Sequence, residues 1–177
     1  MPSVSTVPLE VLATDTGCLV RITGRGTMCE SRRFYEYAKR WLEMEGTSDE
    51  CEDRTSLTLD LSACERLDST FLGCLVDLHK RFNTAKRTRF VIVAPSAVRK
   101  SLLGTSRLDR LLCILDTPPA TRGEGIPLTD DAAADPYALG VHVMECHRRL
   151  AEQGGPASDV FARIAEQLER ELGDQRP

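Results

Sequence analysis

The sequence has no apolar run approaching the roughly 18–20 residues that a membrane-spanning helix needs. Its first residues also lack a basic stretch followed by an apolar one, so no secretory leader is expected. Positive charge is not in excess. The 23 Lys and Arg stand against 27 Asp and Glu, a formal net charge of −4, which removes the electrostatic footprint of a nucleic-acid or anionic-lipid binder. Seven cysteines occur, but none in a C-x-x-C pair. An odd, scattered set supports neither a disulfide framework nor a zinc ribbon, so reduced thiols acting as small core residues are expected. No G-x-x-x-x-G-K-[ST] loop, Ser-His-Asp set, metal-carboxylate cluster or nucleophile elbow is present. These absences lead to the expectation of a soluble, cytoplasmic chain without catalytic residues, cofactor, nucleic-acid partner or membrane contact.

What remains is ordinary globular material. Over 177 residues, 41% are apolar and 28% charged, enough to bury the core of one domain and leave an extension. Residues 9–13 and 18–23 read as strands joined by Thr14-Asp15-Thr16-Gly17, an antiparallel hairpin. Phe34, Tyr37, Ala38, Trp41 and Leu42 recur at helical spacing, with charged residues between them. Residues 46–55 are polar and acidic and read as an exposed loop. Residues 56–61 form a strand pattern, and a helix follows Asp68 with Leu72, Leu75, Val76, His79 and Phe82 as its apolar stripe. Phe90-Val91-Ile92-Val93-Ala94 is a continuous apolar run ended by Pro95, as expected of a well-covered strand. A short helix over 97–103 and a short strand over 111–115 close the set.

The order β-β-α-β-α-β-α-β predicts an α/β fold, a mixed sheet with helices packed on it and an antiparallel edge supplied by the first hairpin. The two long helices are expected on one face of the sheet, over Leu57, Leu59, Leu61, Val91 and Val93. Residues 1–116 are assigned to this domain. Residues 117–133, rich in Pro and Gly, read as a linker. Residues 134–177 read as a helical hairpin. Asp135-Pro136 starts its first helix, Gly154-Gly155-Pro156 ends it, and Ser158 caps the second. The stripes Leu139/Val143/Cys146/Leu150 and Phe161/Ile164/Leu168/Leu172 need a partner. Docking on the domain itself, at a sheet face left open by the other helices, is the expected arrangement.

Two features invite ligand readings that their chemistry does not support. Gly24-Arg25-Gly26-Thr27 lacks the phosphate-loop pattern, and its glycines fit a tight turn better. His142 and Cys146 share a helical face, but a structural metal site needs about four ligands. Core packing is expected for Cys146, and solvent for the histidines.

The informative stretch runs from Leu59-Asp60-Leu61-Ser62 to Leu67-Asp68-Ser69-Thr70-Phe71-Leu72-Gly73. It passes from a strand, through a short loop, into the first turn of a helix. With Asp68 as N-cap, Ser69 sits in that turn at the positive end of the helix dipole, where backbone N–H groups favour added negative charge. An ordinary cap without regulation has the same pattern. A Leu-Asp-Leu-Ser strand followed by Leu-Asp-Ser-Thr-x-Leu-Gly at a helix start resembles the STAS domain, and most of all its anti-sigma-factor antagonist branch. The resemblance covers about residues 9–116. It implies partner switching. The unmodified module binds a serine-kinase-type anti-sigma factor, the kinase phosphorylates Ser69, or Thr70 as second choice, and a phosphatase reverses it. The partner-binding surface so implied comprises Gly24, Arg25, Asp68, Ser69, Thr70, Phe71 and Leu72. Phe71 departs from the pattern, which usually has glycine there, and a ring on that surface would alter kinase docking. Homo-oligomerisation stays open. So do two other roles, a scaffold subunit of a larger signalling assembly and a small STAS subunit on the ATPase of a lipid transporter.

Overall fold

A computed structural model of the chain describes residues 8–44, 56–129 and 135–174. The first strands, β1 (Leu9–Thr14) and β2 (Gly17–Gly26), form the expected antiparallel hairpin. Helix α1 (Met28–Met44) begins at a reciprocal cap. The Thr27 N–H donates to the Glu30 carboxylate at 3.0 Å, and the Thr27 hydroxyl accepts from the Cys29 N–H at 3.4 Å. Strand β3 (Ser56–Leu67) leads into α2 (Ser69–Phe82), then β4 (Phe90–Val93), α3 (Ser96–Leu102), a 3-10 turn and β5 (Ile114–Leu115). Strand β6 (Thr121–Pro127) follows, and helices α4 (Pro136–Ala151) and α5 (Ser158–Gly173) complete the chain.

The sheet has the order β5-β4-β3-β2-β1-β6. The β2–β3, β3–β4 and β4–β5 pairs are parallel, and β1 is antiparallel to both its neighbours. The mixed α/β architecture read from the sequence is therefore the observed one. Register sets which residues share a face. Cys18 lies beside Leu57, Val20 beside Leu59, Leu57 beside Phe90 and Leu59 beside Ile92. These residues, with Leu9, Ile22 and Leu61, join Phe34, Ala38 and Leu42 of α1 and Cys74, Leu75 and Leu78 of α2 in one core. Both long helices thus cover the same face, as expected. Phe90 and Ile92 supply β4's share of it. Val91 and Val93 point to the other face, beside Thr58 and Asp60, because side chains alternate along a strand.

The structure departs from the sequence reading at the expected linker and at the place where the hairpin docks. The segment 117–133, read as a linker, contains β6, which pairs with β1 from Thr14↔Thr121 to Glu10↔Pro127. Its residues lack apolar alternation; the free edge of β1 supplies the pairing. The helical hairpin docks within the chain, as expected, but not on an open sheet face. Helix α4 lies on the outer side of α1 and α2, placing Cys146 and Leu150 in the main core. A smaller cluster of Met144, Val141, Ala165, Leu168 and Leu172 joins α4 to α5. Ile164, expected in that stripe, is exposed, and Ala165 takes the buried place. Ser158 is the first residue of α5 and caps the preceding turn instead, accepting from the Gly155 N–H.

Candidate functional site

The site forms where β2 and β3 end and α2 begins. At Gly24 the backbone φ is +76°, a left-handed conformation that suits glycine, and Arg25 beside it is exposed. The two strands stay paired to their ends, Gly24 beside Cys64 and Gly26 beside Leu67. The Asp68 N–H donates to the Gly26 carbonyl at 3.0 Å, which ties the start of α2 to β2. Asp68 then caps α2, its carboxylate accepting from the Phe71 N–H at 2.8 Å. Gly24, Arg25, Asp68 and Ser69 are thereby gathered at one end of the sheet.

Ser69 is the first residue of α2, as the sequence predicts, but it is half-buried under α4. Its hydroxyl lies 3.0 Å from Nε2 of His147, 78 residues further along the chain. On the other side of that ring, Nδ1 lies 2.8 Å from the Val143 carbonyl. A carbonyl only accepts, so Nδ1 carries the proton. In the neutral ring Nε2 is then the acceptor, and the Ser69 hydroxyl donates to it. His147 is 5% exposed and packs against the Phe161 ring, which corrects the expectation that the histidines face solvent.

The remaining residues of the predicted surface divide. Leu72 is half-buried and packs on the core. Thr70 is 4% exposed, so its hydroxyl is not presented to a kinase in this conformation. Phe71 is fully buried, stacked on Phe34 with ring centroids 5.8 Å apart. Its expected place on the partner-facing surface is corrected by that burial. The space comes from Gly26, where an added Cβ would stand 2.8 Å from the Phe71 ring and 2.6 Å from Leu67. The ring that departs from the family pattern is a core residue with its own complementary glycine.

Sequence reasoning missed the seam between α2 and α4. At Gly73, one turn beyond Ser69, an added Cβ would come within 2.2 Å of the Cys146 carbonyl oxygen. A glycine inside an otherwise regular helix is the signal that could have shown this close approach. A turn further on, Asp77 is 7% exposed and accepts from Tyr35 Oη at 2.7 Å, Arg81 Nε at 2.8 Å and Arg149 Nε at 2.7 Å. Burial, followed by the bond to Asp77, raises the Tyr35 phenol well above its usual range, and the same carboxylate raises the Arg149 guanidinium. His142 lies 2.8 Å from the Ser31 hydroxyl and is held down to about 4, first by burial and then by the nearby Arg32 charge. Burial raises the Cys74 and Cys146 thiols, so both are poor nucleophiles. A cleft of about 440 Å³ between α1, α2 and α4 is lined by Tyr35, Asp77 and His142, among others, and Ser69 does not open into it. Among the described residues, no three His, Cys, Asp or Glu side chains gather as metal ligands.

A family model for the STAS domain matches residues 9–119, which include every strand from β1 to β5 and the whole of the Ser69 turn. The chain belongs to the STAS domain family. The match stops before β6, α4 and α5, so the helix that covers Ser69 lies outside the STAS region. Among solved structures, the chain is similar to an anti-sigma factor antagonist from Mycobacterium paratuberculosis. Identity is 21%, over 71% of this chain and 90% of that one, with a TM-score of 0.49. It is also similar to the anti-sigma factor antagonist SpoIIAA in its unphosphorylated form, at 12% identity over 62% of this chain and 89% of that one, with a TM-score of 0.46. No curated protein matches the chain. No described helix is long and apolar enough to cross a membrane.

Proposed function

We propose that this chain is a regulatory binding module of the anti-sigma-factor antagonist kind, acting in the cytoplasm by partner switching and not by catalysis. Its STAS region binds a serine-kinase-type anti-sigma factor through the ends of β2 and β3 and the first turn of α2. Phosphorylation of Ser69 by that partner ends the contact, and a phosphatase restores it. The observation that carries the reading is the convergence of Asp68, Ser69, Gly24 and Arg25 at one end of the sheet, inside the STAS match. Ser69 is the only hydroxyl residue of the turn retained in the proposal, since Thr70 is buried.

The physics of the switch is modest. A phosphoserine carries about −1.5 to −2 charges at neutral pH. Near the Asp68 carboxylate it adds charge and bulk to the contact surface. A preference of about 5.5 kcal/mol moves a two-state population from 1:99 to 99:1, and smaller losses suffice to release a partner of moderate affinity.

The test is phosphosite mapping on full chain purified from its native host in growth and under stress, followed by calorimetry with the host's serine-kinase-type anti-sigma factors. Phosphate at Ser69 is expected, together with at least about tenfold weaker binding of Ser69→Asp, equivalent to 1.4 kcal/mol. An unphosphorylated Ser69 under every condition, with no binding to any such partner, would sink the proposal and favour a scaffold role for the assembled helices.

A further inference from the structure

We infer that α4 is an intramolecular cover over the switch site, and that the C-terminal hairpin must lift before a kinase or partner can reach Ser69. The inference rests on the reading of Ser69 as the switch. Its evidence is one continuous stripe along α2. Ser69, Gly73, Asp77 and Lys80 follow at helical spacing, and α4 together with its C-cap residue Glu152 meets all four. Ser69 bonds His147, Gly73 lies against the Cys146 backbone, Asp77 accepts from Arg149, and Lys80 stands 3.7 Å from Glu152. A kinase transfers phosphate to a hydroxyl oxygen it can surround. Here the hydroxyl lies 3.0 Å from His147 Nε2, so the ring takes up one side of the oxygen that a kinase would have to surround.

The seam is of a kind that opens without unfolding the sheet. Three of its four contacts are hydrogen bonds or ion pairs with at least one partly exposed partner, namely Ser69, Arg149 and the Lys80–Glu152 pair, so water can replace part of each. Only Cys146 and Leu150 of α4 reach the main core as buried apolar residues. The α4–α5 contact, by contrast, has its own apolar cluster around Met144, Ala165 and Leu172. The two helices can therefore leave as a pair, keeping that cluster. The core around Phe34, Leu59, Phe71 and Ile92 would lose from this pair Cys146, Leu150 and, at its margin, Phe161.

Hydrogen exchange on the full chain separates cover from switch. Two variants open the seam by different routes. Gly73→Ala places a methyl against the Cys146 carbonyl while improving the helix propensity of α2. His147→Ala combined with Arg149→Ala removes side-chain contacts without adding bulk. In each, α4 amides are expected to exchange at least about tenfold faster while amides of β3 and β4 keep their protection, the mark of a local opening. Phosphorylation of Ser69 by the cognate kinase, identified by its binding to the wild-type chain, is expected to quicken by a similar factor. Unchanged α4 exchange in both variants overturns the inference, as does wild-type Ser69 being phosphorylated as fast as in either variant. Faster exchange with no phosphate on Ser69 in wild type or variants overturns the switch reading, and the regulatory role of the cover with it. That result is distinguishable because exchange is read without any kinase.

Discussion

Phe71→Ala separates the two places that residue 71 has been given. The side chain is fully buried and stacked on Phe34 at an interplanar angle of 10°, within the same core as Leu59 and Leu75. Truncating a buried Phe to Ala removes its transfer free energy and leaves a cavity, about 3–5 kcal/mol in well-packed cores. Part of this is the ring pair itself, about 0.5–1.5 kcal/mol beyond the area buried. For a chain of this size, each kcal/mol lowers Tm by about 2–4 °C, so a fall of about 10 °C is expected. A surface contact residue would behave in the opposite way, with stability within about 0.5 kcal/mol of wild type. Urea and thermal denaturation, followed by far-UV circular dichroism and Trp41 fluorescence, provide the measurement. A loss below about 1 kcal/mol would refute the core assignment, since no buried aromatic ring is removed so cheaply. Phe71→Gly, which restores the residue usual in the family, should be worse than Phe71→Ala by about 1 kcal/mol, because glycine also weakens the helix.

Asp77→Ala should cost about 2–3 kcal/mol. It strips the Tyr35 hydroxyl of its acceptor and leaves Arg81 and Arg149 without their shared carboxylate. The full cost of breaking a buried pair is not expected, since these arginine side chains are 44% and 31% exposed and water replaces part of the interaction. Chemical denaturation of the variant is the measurement, and a loss under about 0.5 kcal/mol, the range of ordinary surface changes, would show that Asp77 does not hold the seam. Acid should destabilise the protein in the window set by His142. Its folded value is about 4 against an ordinary 6.5, so between these pH values the unfolded chain binds more protons than the folded one. Stability from this group is present above about 6.5, and it is lost progressively as pH falls towards 4, to a maximum of about 3 kcal/mol. The ring is faced by Ser31 and Tyr35 of α1, with Arg32, Asp77 and Cys146 nearby. A stability profile of His142→Gln as steep as wild type between pH 4 and 6.5 would assign the acid sensitivity to other groups.

The parts of this fold that were legible in the sequence are those whose signal is local. The Thr14-to-Gly17 turn, the α1 and α2 stripes and the Asp68 cap each follow from residues within a few positions of one another. Strand β6 was not legible, because Thr121–Pro127 has neither β-branched alternation nor an apolar face and becomes a strand only by meeting the edge of β1. The tail of β3 was missed for a related reason. Ser62, Ala63 and Glu65 are exposed, and pairing with the end of β2, not burial, keeps the strand going to Leu67.

Ser69 shows the same limit at the site itself. A first-turn serine after an aspartate cap is exposed by any local argument, and the STAS region alone gives no reason to doubt it. Its exposure is decided by α4, which the chain delivers 78 residues later. One trace of that encounter within the STAS region is Gly73. A glycine in the interior of a helix costs about 1 kcal/mol relative to alanine, and the cost is offset here because the α4 backbone comes within reach of the position a Cβ would fill. Gly26 is the converse case, a glycine whose missing Cβ makes room for the Phe71 ring inside the domain. One glycine lets a core side chain in and the other lets a helix in, and both lie within one turn or one strand-end of Ser69. The surface around Ser69 is thus shaped by packing on both of its sides. Any change at Gly26 or Gly73 should reach the surroundings of Ser69 without touching its hydroxyl.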